Sequence, residues 1–222
     1  AQKYTLIKEN YLDNSGDKAD KLIEEVYFMS NRHAYEFLFD DSALIVIDMQ
    51  NYFLKPDSHA CIPSAACIVN PINTLVREFR KRNCKIIFTK HINTEEDAGM
   101  LKKWWKDILK NDENANINEN LDFTGTEILT KTQFDAFYNT QLESMLRENG
   151  IKQVVITGVM ANLCCETTAR SAFVRGFEVF FPADCTAAYN EKMHLSTLYN
   201  LSYGFAHIIN SKDILNETDN EE

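Results

Sequence analysis

The chain has 222 residues, 45% hydrophobic and 25% charged, with a formal net charge of -10. That size suits one large α/β domain, and the acidic balance supplies no basic stripe for nucleic acid or an anionic membrane surface. No apolar run approaches the roughly 20 residues of a membrane span, the polar start lacks a secretory h-region, and the six cysteines lack the paired spacing of a zinc site or a disulfide scaffold. The expectation is a cytoplasmic protein with reduced thiols and neither nucleic-acid nor membrane partners.

Mixed apolar and charged spacing predicts one or two peripheral helices over 17–38, giving an N-terminal helical extension over 1–41. The main domain then runs over 42–215, and 216–222 is an acidic tail, solvated and frayed. The β-branched run 43–47 reads as a central parallel strand buried on both faces, ending at Asp48. Pro63 opens a helix to about residue 83, with Ile68, Ile72, Leu75, Val76 and Phe79 on one face. A second strand covers 85–89, and a mostly polar excursion over 92–127 carries Trp104 and Trp105 in a short helix. A third strand covers 127–130 and ends at Lys131, and a helix is expected over 134–148. A fourth strand covers 153–157, a turn 158–163 and a helix 164–175. A fifth strand at 177–181, a helix at 190–203 and a sixth strand at 206–209 complete the pattern. The alternation predicts a three-layer α/β/α fold with a six-stranded, mainly parallel sheet.

Ligands of such sheets bind beyond the carboxyl ends of the strands. Three residues directly follow predicted strands or their turn: Asp48, Lys131 and Cys164. A carboxylate can accept a thiol proton, an ammonium favours a thiolate, and a helix N-terminus adds N–H groups that could hold an oxyanion. Spacing alone leaves a second reading open, in which the Asp caps a loop and the Cys packs in a tight turn.

The local sequences narrow this. Leu44-Ile45-Val46-Ile47-Asp48-Met49-Gln50-Asn51-Tyr52-Phe53 resembles the first-strand motif of the isochorismatase-like cysteine hydrolases. Gly158-Val159-Met160-Ala161-Asn162-Leu163-Cys164-Cys165 resembles their nucleophile turn, and Leu129-Thr130-Lys131 with Phe134 and Ala136-Phe137 their lysine motif. With Thr89, His91 and Ala183-Asp184, the resemblance covers roughly residues 42–210. It implies Asp48 as general base and acid, Lys131 holding the thiolate in ionised form, and Cys164 attacking a carbonyl to form a thioester. It further implies a cis peptide at Val159-Met160, with the N–H groups of Met160 and Cys164 as the oxyanion hole. By motif register Cys165 is a packing residue.

Nicotinamidases of that family carry a metal site built on Asp-x-His after the second strand. Here the chain reads Thr89-Lys90-His91-Ile92-Asn93, and Asp57-x-His59 lies in another loop, read as surface, so no metal or cofactor is expected. The resemblance therefore implies the metal-free branch, similar to N-carbamoylsarcosine amidase, biuret hydrolase and ureidoacrylate hydrolase, which cleaves a C–N bond of a small amide, ureide or carbamoyl compound. One alternative is an isochorismatase-type vinyl-ether hydrolase resting on Asp48; another is a non-catalytic binding protein on this fold. Candidate pocket walls are Phe53, Trp104, Trp105, Phe137 and Tyr138, with Gln50, His91 and Asn162 as polar contacts. The alternative for each aromatic is core packing or an oligomer interface, and for Trp104 and Trp105 the two readings stand about even. The family resemblance implies a homodimer or homotetramer.

Overall fold

A computed structural model of the chain describes residues 6–30 and 35–216. The run Ser42–Ile47 forms β1, and all six of its residues are buried. Gln153–Val159 forms β4, likewise buried throughout, and pairs with β1 in parallel from Ser42↔Gln153 to Ile47↔Gly158. Strands buried along their whole length are covered on both faces, which is why their sequences run apolar without alternation. Lys85–His91 (β2) and Glu127–Lys131 (β3) extend the sheet on one side; Glu178–Pro182 (β5), Thr186–Ala187 (β6) and His207–Ile209 (β7) extend it on the other. The order is β3-β2-β1-β4-β5-β7, with β6 pairing to the end of β4. All ladders are parallel. The sheet thus has seven strands where six are expected, because β6 is only two residues long.

The helices are α1 (Asp17–Ser30), α2 (Asn51–Leu54), α3 (Ala65–Lys81), α4 (Met100–Trp105), α5 (Leu142–Glu148), α6 (Glu166–Val174), α7 (Glu191–Gly204) and α8 (Ser211–Asn216). Helix α3 packs on β1, β2 and β4 through Ile68, Ile72, Leu75, Val76 and Phe79, all fully buried. Each such side chain contributes about 1.5–3 kcal/mol of burial. Helix α6 packs on β4 and β5 and against α7, while α1 lies on α7 and β7. Asp184 accepts hydrogen bonds from the Ser211 N–H and hydroxyl, so it caps α8.

The helix expected over 134–148 forms only from Leu142. Before it, the Asp135 carboxylate accepts from Phe137 N and Ser171 Oγ, and Thr168 Oγ1 accepts from Ala136 N. These side-chain bonds compete with a helical ladder, and Asn139 takes a left-handed φ of 51°. The tail beyond residue 216 lies outside the described residues, as does 31–34 within the expected N-terminal helical stretch. Among the described residues, no helix is long and apolar enough to cross a membrane.

The segment before α1 is tied to the domain. Tyr11 Oη lies 2.8 Å from His194 Nδ1 and accepts from Ala188 N at 2.9 Å, and Thr186 Oγ1 lies 2.9 Å from His194 Nε2. This network is wholly buried, and burial pushes the His194 pKa down to about 3.

Candidate active site

Chain direction across the sheet reverses between β1 and β4, the switch point where a crevice opens. Asp48 follows β1 there, in a left-handed conformation of φ 49°. The end of β4 approaches closely: a Cβ on Gly158 (φ +105°) would lie 2.0 Å from Ile47 O, so only glycine fits. After the Val159–Met160 peptide, which is cis, Ala161–Cys165 forms a single π-helical turn leading into α6. That turn carries Cys164 over the crevice. Lys131 reaches it from the end of β3, two strands from β1.

The three side chains meet. Lys131 Nζ lies 2.8 Å from Asp48 Oδ2, both side chains fully buried, and also donates to Gln133 O at 2.8 Å. Thr89 Oγ1 donates to Asp48 Oδ1 at 2.6 Å and accepts from Asp48 N at 3.1 Å. Asp48, His91 and Cys164 present ligand-type atoms within 4.8 Å of one another. The Lys131 ammonium, 2.8 Å from Asp48 and 3.4 Å from His91 Nδ1, already supplies a cation at that cluster.

Electrostatics assign the resting charges. Burial pushes the Asp48 carboxyl up, but the Lys131 ammonium, with hydrogen bonds from Lys131 and Thr89, holds it below the usual carboxylate range. Burial likewise disfavours the Lys131 charge, and Asp48 more than offsets that, leaving its pKa raised. For Cys164 burial wins: despite Lys131, its thiol is pushed up to about 12. The resting group is a thiol beside a carboxylate. The resemblance implies a pair held in ionised form; burial of the sulfur acts against that and the Lys131 ammonium acts for it.

A cavity of about 210 Å³ opens above Cys164. Its walls include Tyr52, Phe53, His59, His91, Asn93, Trp105, Asp107, Leu109, Phe134, Met160, Leu163 and Tyr189. Of the residues expected around a substrate, Phe53, His91 and Trp105 line it, together with Met160 and Cys164 of the nucleophile turn. Gln50 is fully buried behind it, its amide clamping the β2 end and the excursion: Nε2 donates to His91 O (3.0 Å) and Ala115 O (2.9 Å), and Oε1 accepts from His91 N (2.9 Å). Trp104 and Tyr138 are exposed outside the cavity; Phe137 is core, stacked on Phe177. Asn162 is not among the lining residues. Cys165 faces the sheet, its thiol 3.8 Å from Thr157 O, and all six cysteines are free.

His59, read from sequence as a surface residue, stands at the cavity mouth. Its Nε2 lies 3.1 Å from Tyr52 Oη and 3.4 Å from Asp107 Oδ2, joining the loop after β1 to the loop after α4. No periodic pattern points to these loop residues; the spelling Asp57-x-His59 is the one signal the sequence carries.

With this geometry in hand, an isochorismatase domain model matches residues 42–213. The chain belongs to the isochorismatase family. It is 40% identical over 174 residues to Nicotinamidase 3 of Arabidopsis thaliana, covering 76% of this chain and 84% of that protein. Among solved structures, a cysteine hydrolase from Pseudomonas syringae pv. phaseolicola 1448A superposes with a TM-score of 0.79 at 24% identity, covering 84% of this chain and 96% of that one. N-carbamoylsarcosine amidase from Thermoplasma acidophilum superposes with a TM-score of 0.68 at 26% identity, covering 77% and 96%. This is an isochorismatase-family hydrolase in which Asp48 and Lys131 meet Cys164 from behind, and Cys164 lines the cavity.

Proposed function

We propose that this isochorismatase-family chain hydrolyses the C–N bond of a small, uncharged, planar carboxamide through a thioester on Cys164. The observation that carries this reading is the cavity above Cys164: aromatic and aliphatic walls with neither arginine nor lysine among the lining residues and a carboxylate, Asp107, at the mouth. A dicarboxylate such as isochorismate, or a ureido acid, would bury its negative charge there unpaired. The 40% identity to a nicotinamidase favours an aromatic carboxamide of the nicotinamide type.

The chemistry follows from the resting charges. As Cys164 Sγ attacks the carbonyl carbon, Asp48 takes the thiol proton, so no free thiolate is needed. The N–H groups of Met160 and Cys164 are assigned to the oxyanion. Asp48 then returns the proton to the leaving nitrogen, the C–N bond breaks and ammonia departs. Water attacks the thioester with Asp48 again as base, the C–S bond breaks, and the acid and the thiol are regenerated. Lys131 holds Asp48 ionised at rest and balances the charge that develops on sulfur.

A panel of nicotinamide, pyrazinamide, N-carbamoylsarcosine, ureidoacrylate and isochorismate, assayed on wild type and Cys164→Ala, tests the reading. Turnover of the neutral aromatic amides, abolished in Cys164→Ala, is expected. Preference for a carboxylate-bearing substrate, or activity that survives the loss of Cys164, would refute it.

A further inference from the structure

Two buried polar residues beside the triad, His91 and Asn93, are arranged so that the network decides which ring nitrogen carries a proton. Asn93 Nδ2 lies 2.9 Å from Asp97 Oδ1 and 2.9 Å from Thr132 O. A carboxylate and a carbonyl only accept, so the amide nitrogen faces them and Oδ1 faces the other way. There it meets His91 Nε2 at 2.6 Å. That oxygen also only accepts, so Nε2 carries the proton. Gln50 grips the His91 backbone on both sides, which fixes where the ring starts. The remaining nitrogen, Nδ1, lies 3.4 Å from Lys131 Nζ.

We propose that Asp97, Asn93 and His91 form a positioning relay: it locks His91 as the neutral Nε2–H tautomer and turns its Nδ1 lone pair on Lys131, steadying that ammonium against Asp48. The relay rests on the reading of Lys131 as the cation of the catalytic set. Lys131 Nζ donates to Gln133 O, ion-pairs with Asp48 Oδ2 and bonds the Cys164 sulfur, so the His91 Nδ1 lone pair is one further acceptor beside it. A lone pair at Nδ1 suits that ammonium, whereas the opposite tautomer would set N–H against N–H. An imidazolium would put two cations 3.4 Å apart in a buried site. The groups that face the ring are the Asp48 carboxylate after β1, Lys131 and the Gln133 carbonyl at the β3 end, and the Cys164 thiol on the π-helical turn; Asp97 acts only through Asn93. Among these Asp48 and the Gln133 carbonyl favour a protonated ring; Lys131 pairs with the first and donates to the second at 2.8 Å. Burial first, and then Lys131, keep the imidazole pKa below its ordinary value.

The test is nitrogen-15 NMR of histidine-labelled protein from pH 6 to 8, with the His91 signals assigned by their loss in His91→Gln, alongside kcat/KM on the amide. In wild type, Nε2 is expected protonated and Nδ1 unprotonated throughout, and kcat/KM stays within about twofold over that range. Asn93→Asp places a carboxylate where the amide oxygen stood. His91 should then titrate, and kcat/KM should fall by about tenfold from pH 8 to pH 6, since each unit of pKa corresponds to a tenfold change. A protonated Nδ1 or an imidazolium in wild type at pH 7 would overturn the relay. So would an Asn93→Asp protein in which His91 titrates while the pH–rate profile keeps its wild-type shape. If wild type turns over no amide, the proposed reaction fails, and the spectra alone decide the relay on the same criterion.

Discussion

Replacing Thr89 with Val removes one hydroxyl from behind the buried carboxylate of Asp48. In the native site that hydroxyl donates to Oδ1 at 2.6 Å and accepts from the Asp48 backbone N–H at 3.1 Å. A hydrogen bond to a charged group is worth about 1.5–3 kcal/mol. Because the bond favours the ionised form, its loss raises the Asp48 pKa by about 1–2 units at 1.36 kcal/mol per unit. The sign follows from the role of the carboxylate. Asp48 sits below its ordinary range, so activity that needs it ionised is lost only as pH falls through that depressed value. In Thr89→Val the acid limb of kcat/KM moves up by about 1–2 units. Stability also falls, by about 1.5–3 kcal/mol at neutral pH. Thr89→Ser keeps a donor and returns the limb toward wild type. The assay is kcat/KM from pH 3.5 to 8 with urea unfolding at each end. An acid limb in Thr89→Val that coincides with wild type would show that Asp48 is not the base, or that Thr89 does not tune it.

Two further substitutions probe the frame. His194 has a folded pKa of about 3 against 6.5 for an unperturbed imidazole, so the stability tied to its neutral form is complete above pH 6.5 and is lost as pH falls toward 3. Between pH 7 and 5 this amounts to about 2 kcal/mol by linkage; His194→Gln should lose that share of the slope in urea unfolding, and equal slopes would contradict it. Gly158→Ala drives a Cβ to 2.0 Å from Ile47 O at a φ of +105°, so a loss of about 3 kcal/mol or more is expected, along with catalysis. Normal denaturant stability in that variant would contradict the close approach of β4 to β1.

Much of this frame is legible in the sequence because burial on two faces writes apolar, β-branched runs that end abruptly at polar residues. β1 is of this kind and ends at Asp48, while β4 runs into the turn that carries Cys164. The two-residue β6 is too short to leave a pattern, and the segment before α5 has helical composition while Asp135 and Thr168 hold its backbone in turns. The cavity walls are harder to read. His59, Asp107 and Tyr189 come from loops without periodicity and Tyr52 from the single-turn α2, and their convergence depends on how those segments fold back over the sheet. Gln50 and Phe137 show the converse: residue type suits a pocket, but the amide of Gln50 is spent on backbone groups and the ring of Phe137 is packed in the core. The charge state of Cys164 also lies beyond the sequence, since it depends on how completely the sulfur is removed from water.

The most direct test of the central claim is mass spectrometry of the enzyme quenched during turnover of nicotinamide, followed by peptide mapping. A mass increase equal to the acyl group, confined to the peptide carrying Cys164 and absent in Cys164→Ala, is the predicted result. Product formation without any such adduct under conditions of a pre-steady-state burst, or an adduct on another residue, would contradict a thioester at Cys164.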